Sequence, residues 1–248
     1  MKIAIVSATS DLAQATALKL ASVSWPTQNV EFYLSGRNLD GLNAVAADLE
    51  IRNPSIKTKV SVLDMLDGAQ INKYVSELPT IDIALIAQGE LTDQQSAQAD
   101  PQVLKRSLDA NLISPTLFAN AFSEKFEFAK AGHLALIGSV AGDRGRKSNY
   151  IYGAAKSFAE TLVQGINHRF AGTSASALLI KPGPTRTKMT LAMANTPKRL
   201  ADPHKSAAAI AKAMLANKRG VLYVPRSWGL VMLIIRFLPA AIFNRLDI

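Results

Sequence analysis

Ile81-Asp82-Ile83-Ala84-Leu85-Ile86-Ala87 is apolar throughout except at Asp82. A strand with one face in water alternates apolar and polar side chains, whereas a run of this kind fits a strand covered on both faces. Shorter strand-like runs lie at residues 3–6, 32–34, 60–62, 134–137 and 177–180. Between them, residues 11–22, 39–51, 71–78, 101–128 and 150–170 read as helices. Strands and helices therefore alternate with short connections. That order implies parallel strands, right-handed crossovers and a doubly wound α/β sheet. No low-complexity linker or tandem repeat divides the chain, so a single domain is expected. Such sheets take ligands at the carboxyl ends of their strands. Chemistry is expected in the turns after residues 6, 34, 62, 87, 137 and 180.

Of the 248 residues, 48% are hydrophobic, too many for a disordered chain. Cysteine is absent, which excludes disulfides, thiolate metal sites and a cysteine nucleophile, and fits a reducing compartment. His133, His168 and His204 lack metal-ligand spacing, so no metal is expected. The opening Met1–Val6 run is too short for a signal peptide, and the expected location is the cytoplasm. No apolar stretch reaches the ~18 residues of a membrane span. The nearest, 228–243, is interrupted by Arg236 and Pro239.

The formal net charge is +9, unevenly distributed. Residues 1–180 carry 16 basic and 17 acidic side chains, and residues 181–248 carry 12 and 2. An excess confined to the last quarter points to a local anionic partner, a substrate or a membrane surface, rather than to nucleic acid.

Tyr152-Gly153-Ala154-Ala155-Lys156 puts a tyrosine and a lysine four apart on one helical face. Alone, that pair is ordinary helix surface. Its setting is more informative. Ser139 ends a strand thirteen residues earlier, Asn111 lies in the preceding long helix, and Pro182-Gly183 follows the next strand. In order and spacing, Asn111, Ser139, Tyr152 and Lys156 match the catalytic tetrad of the short-chain dehydrogenase/reductase family. Ile137-Gly138-Ser139-Val140-Ala141-Gly142 and Lys181-Pro182-Gly183-Pro184-Thr185-Arg186-Thr187 look like its flanking motifs. The resemblance runs from the first strand to about Val224. It implies a Rossmann-type sheet in a dinucleotide-binding and catalytic domain over 1–225, with 226–248 as an apolar, basic C-terminal helical extension. It also implies a homodimer or homotetramer.

The tetrad has a physical logic. Free tyrosine, with a pKa of about 10, is a poor acid–base catalyst at neutral pH. A nearby lysine cation favours the phenolate, so Tyr152 is expected to have a lowered pKa and to exchange a proton with a carbonyl or alcohol oxygen. Ser139 is expected to hydrogen-bond that oxygen. By resemblance, Lys156 also binds the nicotinamide ribose and Asn111 supports a relay water. The same resemblance places the nucleotide along Ser7, Thr9, Ser10, Asp11 and Leu12, then Arg37, Asp64, Met65, Ala87, Gln88 and Gly89, then Tyr152, Lys156, Pro182, Gly183, Thr185 and Thr187.

The first turn departs from the family pattern, with Ser7, Asp11 and Ala13 at its three glycine positions. Asp11 either caps the following helix or adds negative charge near a pyrophosphate. Ala87-Gln88-Gly89 replaces the usual Asn-Asn-Ala-Gly. After the second strand, Ser35-Gly36-Arg37-Asn38 lacks the carboxylate that binds ribose hydroxyls in NAD enzymes, and Arg37 suits a 2′-phosphate. NADP is therefore the expected cofactor. Asp64 resembles the family's adenine-contacting aspartate, or else caps the next helix. Tyr150 is expected to line the substrate site.

Substrate choice is expected from the end of the chain. Residues 190–199 read as a short lid helix. The tail from Arg226 to Pro239 is apolar around its circumference, which suits either a subunit interface or an interfacial membrane helix with Trp228 at headgroup level. Residues 141–150 also resemble the keto-reductases of decaprenylphosphoryl-ribose epimerisation. That implies a keto-sugar or related ketone on a polyprenyl phosphate, met by Arg144, Arg146 and Lys147. Two alternatives stand beside this NADPH-dependent reductase: a soluble small-alcohol or ketone dehydrogenase, and a non-enzymatic nucleotide-sensing partner protein.

Overall fold

The computed structural model describes residues 1–23, 30–192 and 199–246. The first half runs β1 (Lys2–Val6), α1 (Asp11–Ala21), β2 (Val30–Gly36), α2 (Leu39–Arg52), β3 (Ile56–Val62), α3 (Gly68–Glu77) and β4 (Ile83–Ile86). Two short helices follow, α4 (Gln94–Ala99) and α5 (Pro101–Leu108), and a π-turn over Asp109–Ile113 leads into α6 (Ser114–Ala129). Then come β5 (His133–Ile137), a 3₁₀ turn over Val140–Asp143, α7 (Tyr150–Arg169), β6 (Ser176–Pro182), α8 (Lys188–Leu191), α9 (Pro203–Leu215), β7 (Gly220–Val224), α10 (Ser227–Phe237) and α11 (Ala240–Phe243).

All seven strands are parallel, in the order β3-β2-β1-β4-β5-β6-β7. Alternate residues of β1 serve opposite faces. Ile3 and Ile5 join Leu12, Leu20, Leu42, Leu49 and Ile210 on one side. Ala4 and Val6 join Ile71, Phe118, Phe122, Val163 and Phe170 on the other. The sheet is thus covered on both faces in a single doubly wound domain, as its apolar strands imply. Helix starts follow capping chemistry: Asn38, Asp67, Asp93, Asp100 and Asp202 each accept an N–H from the first turn.

Several expectations need correction. β7 is absent from the sequence reading, and only the end of β3 is present there. Both are edge strands with partly exposed side chains, so neither shows an unbroken apolar run. α4 is rich in glutamine and carries no amphipathic signal. The expected helix over 101–128 is α5 and α6, interrupted by the π-turn that holds Asn111. Of the expected lid, α8 ends at Leu191, and 193–198 lie outside the described residues. The tail is two short helices, broken at Leu238-Pro239.

One buried cluster locks the substrate-side end of the sheet together. Lys181 on β6 has a fully buried side chain that pairs with Asp143 of the 3₁₀ turn and with Glu160 on α7 at 2.7 Å. Tyr223 on β7 donates its hydroxyl to the second oxygen of Asp143 at 2.9 Å. Burial, then the Asp143 bond, pushes the Tyr223 phenol up to about 12. Removing one partner of a buried pair leaves uncompensated charge, which costs about 3–5 kcal/mol. Lys181→Met is therefore expected to destabilise the fold by about that amount, read from chemical denaturation. Unchanged stability would show that the cluster is not holding these elements.

Candidate functional site

Strand order reverses between β1 and β4. The segments that leave these two strands part, and the crevice between them is where such sheets bind ligands. It is lined by Ser7, Thr9 and Ser10 after β1, by Gly36, Arg37 and Asn38 after β2, and by Ala87, Gln88, Gly89 and Glu90 after β4, with Ala110 opposite. Glu90 and Ala110 carry no sequence signal, because their main chain rather than their side-chain chemistry places them there.

The first turn keeps the shape that glycine would give it. Ser7 adopts φ +57°, the left-handed region, at a cost of about 1–2 kcal/mol for a residue with a Cβ. Its hydroxyl bonds the side-chain oxygen of Gln88, tying the first turn to the β4 turn. Asp11 does not cap α1. Its carboxylate accepts the N–H of Lys188 and fastens the segment after β6 onto the first turn. Leu12 is buried in the core, so only its main chain is available to a ligand. Arg37 stands exposed at the mouth, and Asn38 is engaged as the cap of α2. Asp64 is not a helix cap either. It accepts the N–H of Leu66 at 2.9 Å, and Asp67 caps α3. Met65 is a core side chain, and neither Asp64 nor Met65 lines the crevice.

Behind the Gln88-Gly89-Glu90 wall of this crevice lie Asn111 and Lys156, with Tyr152 and Ser139 next to Lys156. Asn111, on the π-turn, donates to the carbonyls of Glu90 (2.8 Å) and Ser107 (2.9 Å) and accepts the N–H of Glu90 at 3.2 Å. Lys156, 3% exposed, directs its Nζ to the carbonyls of Gln88 and Ile137, each at 3.4 Å. A Cβ on Gly89 would lie 2.8 Å from that Nζ and 3.0 Å from Asn111 Oδ1, so the pair can close in only because residue 89 has no side chain. Gly142 packs just as tightly. A Cβ there would meet the Lys156 carbonyl carbon at 2.6 Å, so the loop that carries Ser139 rests directly on the α7 backbone.

Tyr152 lies beside Ser139, and Lys156 Nζ lies 5.7 Å from the tyrosine ring centre. Burial raises the Tyr152 pKa, opposed by the Ser139 hydroxyl. Burial also lowers Lys156 to about 8. The expected lowering of the phenol is therefore not what this arrangement produces: desolvation of the phenolate outweighs the influence of Ser139, and Tyr152 is held protonated.

At the other rim, Gly183 donates its N–H to Val224 O and accepts Thr185 Oγ1 on its own carbonyl at 2.9 Å. The Trp228 indole lies where a Gly183 side chain would be, so Trp228 faces the protein rather than standing outward as a headgroup anchor. Pro182 ends β6, and Thr187 caps α8. Arg144 is not free to meet a phosphate. It donates to the carbonyls of Ile235 (2.6 Å), Arg236 and Leu238 and stacks 3.9 Å from the Phe243 ring, closing the carboxyl end of α10. Arg146 sits half-buried with Nη2 3.6 Å from Met232 Sδ, and its Nε has no hydrogen-bond partner among the described residues. Tyr150 is exposed and accepts from Gln98, while Gln94 accepts the Ile151 N–H at the start of α7. His133 is a core residue bonded to Ser176, its pKa lowered by burial to about 4.

Comparison with known proteins places this arrangement. The chain is 29% identical over 216 residues to the uncharacterized oxidoreductase Rv2073c of Mycobacterium tuberculosis (strain ATCC 25618 / H37Rv), covering 86% of each chain. Its fold is shared with levodione reductase (TM-score 0.80, 21% identity, 92% of this chain and 97% of that one). It is also shared with a short-chain dehydrogenase from Sphingobium yanoikuyae in complex with NADPH (TM-score 0.80, 22% identity, 97% of each). The family description short chain dehydrogenase matches residues 2–198. On that match the chain belongs to the short chain dehydrogenase family, a family of NAD(P)-dependent oxidoreductases.

Proposed function

We propose that this protein is an NADPH-dependent reductase that turns a carbonyl into an alcohol, with Tyr152 as proton donor, and that its substrate is a keto-sugar or related ketone carried on a lipid phosphate. One observation carries the catalytic reading: Lys156 and Asn111 meet at Gly89, a residue of the crevice whose mouth holds Arg37, and Tyr152, with Ser139 beside it, lies next to Lys156. The residues present fit a nicotinamide dinucleotide. The first turn is left-handed at Ser7, small hydroxyl residues line it, and α1 begins there with unpaired N–H groups suited to phosphate. A nucleotide-sensing protein would share that turn; the grouping of Tyr152, Lys156 and Asn111 behind it weighs against that alternative.

The nucleotide, when bound, supplies the hydride that reduces the carbonyl carbon. The protein supplies position and the proton. Ser139 Oγ and Tyr152 Oη hold the carbonyl oxygen, and Tyr152 releases its proton to that oxygen as charge develops there. A tyrosine kept protonated by burial is able to donate the proton that reduction requires. Lys156, as a cation, steadies the phenolate left behind. Asn111 holds the Gly89-Glu90 main chain against Lys156. NADPH is preferred on the strength of Arg37 and the lack of a carboxylate after β2. The lipid-phosphate substrate rests on the subgroup resemblance, on the half-buried Arg146 with its unpartnered Nε, and on the apolar, basic surface beside the site.

Tyr152→Phe is expected to lower turnover by about 10²–10⁴-fold while nucleotide binding persists in a fluorescence titration. Retained turnover would reject Tyr152 as the acid, and failure of the unmutated protein to bind either nucleotide would reject the enzyme reading. Arg37→Asp should weaken kcat/KM for NADPH by roughly tenfold or more, the loss of a charge-assisted bond worth about 1.5–3 kcal/mol, while sparing NADH. An equal loss with both would remove Arg37 from the 2′-phosphate.

The reduction rate should fall as pH rises through about 8, because Lys156 then loses its charge. Stability moves the other way. The folded Lys156 pKa lies below its ordinary 10.5, so between about 8 and 10.5 the unfolded chain binds the extra proton and the fold gains stability as pH rises. A flat rate profile over that range would contradict the assignment.

A further inference from the structure

We propose that the outward face of α10 and α11 docks this protein on an anionic lipid bilayer, lying in the headgroup region beside the mouth of the substrate site. α10 carries two apolar stripes. Trp228, Met232 and Ile235 turn inward, and Met232 is fully buried. Leu230, Leu233, Ile234 and Phe237, spaced three or four apart, turn outward and are 66%, 53%, 61% and 79% exposed. Ile242 and Leu246 extend that outer surface past the break at Pro239. A core helix needs one such stripe. The second, continuous and open, is the mark of a surface that meets another apolar phase.

Charge selects the partner. Residues 203–248 contain seven Lys or Arg against one acidic residue, Asp247, with exposed Arg226, Arg236 and Arg245 on this segment. Pairing with a second copy of the same face would bring these arginines together with only Asp247 of the segment to offset them. Anionic headgroups offset them directly. Among the described residues no helix is long and apolar enough to cross a membrane, so the element lies along the surface.

The docking face is rigidly joined to the site. Arg144, five residues beyond Ser139, closes the carboxyl end of α10, and Trp228 at its start covers Gly183. A bilayer under this face therefore sits at the rim where a lipid-borne substrate would enter. Docking itself does not depend on the catalytic reading, since Tyr152→Phe leaves this surface intact.

The test is flotation of the full chain with vesicles of equal parts phosphatidylglycerol and phosphatidylcholine, against vesicles of phosphatidylcholine alone, at low salt. The unmutated protein and Tyr152→Phe should both float with the anionic vesicles and stay behind with the neutral ones. Ile234→Gln/Phe237→Gln, both at exposed positions, should reduce flotation at least tenfold with the melting temperature unchanged. Arg226→Glu/Arg245→Glu should do the same. The proposal is overturned if the unmutated protein floats with neither vesicle, or if the apolar double variant floats as well as its parent. It is equally overturned if light scattering shows an oligomer that Ile234→Gln/Phe237→Gln splits, which would make this face a subunit interface.

Discussion

Lys156 brings an ammonium group into the protein at a point where main-chain carbonyls receive it. Its Nζ reaches the oxygens of Gln88, two residues beyond β4, and of Ile137, the last residue of β5. Those two strands lie side by side in the sheet, so their ends supply a pair of partial negative charges at one place. The rest of the site is arranged around this contact. α7 must approach the sheet closely enough for the lysine to reach, and that requires Gly142 beneath it and Gly89 beside it. Once α7 is so placed, Tyr152, one turn earlier, lies against Ser139. The low pKa of Lys156 and the high pKa of Tyr152 share a cause, the removal of water from both.

The uneven charge of the chain also takes on structural meaning. Lys181, counted in the basic quarter, is buried against two carboxylates and contributes nothing to the surface. Arg144, counted in the neutral portion, closes the end of a helix from the basic quarter. Through Arg144 the catalytic loop is joined to α10 and α11, and through Lys181 it is joined to β6 and α7. The surface charge that remains is spread over lysines and arginines from α8 to the tail, with Arg226, Arg236 and Arg245 on the segment that carries the apolar face.

The legibility of the site in the sequence differed from residue to residue. Helical spacing puts Tyr152 and Lys156 on one face, but it is their order and spacing with Ser139 and Asn111, which resemble the family tetrad, that mark them as catalytic. Ser139 itself follows β5 and caps the 3₁₀ turn. Asn111 was placed in a helix, but not on the π-turn that bends its carboxamide toward Glu90. The nucleotide-facing residues were less legible. Leu12 and Met65 occupy the expected positions in the chain, yet their side chains belong to the core. Asp64 and Asp67 are equally good caps by composition, and only the start of α3 selects Asp67. Asp11 bonds a residue 177 positions away, which no local pattern can convey.

Order along the chain and period were enough to establish a parallel, doubly wound sheet, because burial on both faces leaves its mark in each interior strand. They also established the tyrosine–lysine pair, because the rise and turn of a helix are local properties. Edge strands escaped that reading, since one partner and partial exposure dilute the apolar signal. The tertiary structure alone decided that Ser7 takes the left-handed conformation of a glycine, that Lys181 binds Asp143 and Glu160, and that Arg144 caps α10. Each depends on groups far apart in the chain whose distance is set only when the sheet closes, and a one-dimensional pattern holds no record of that distance.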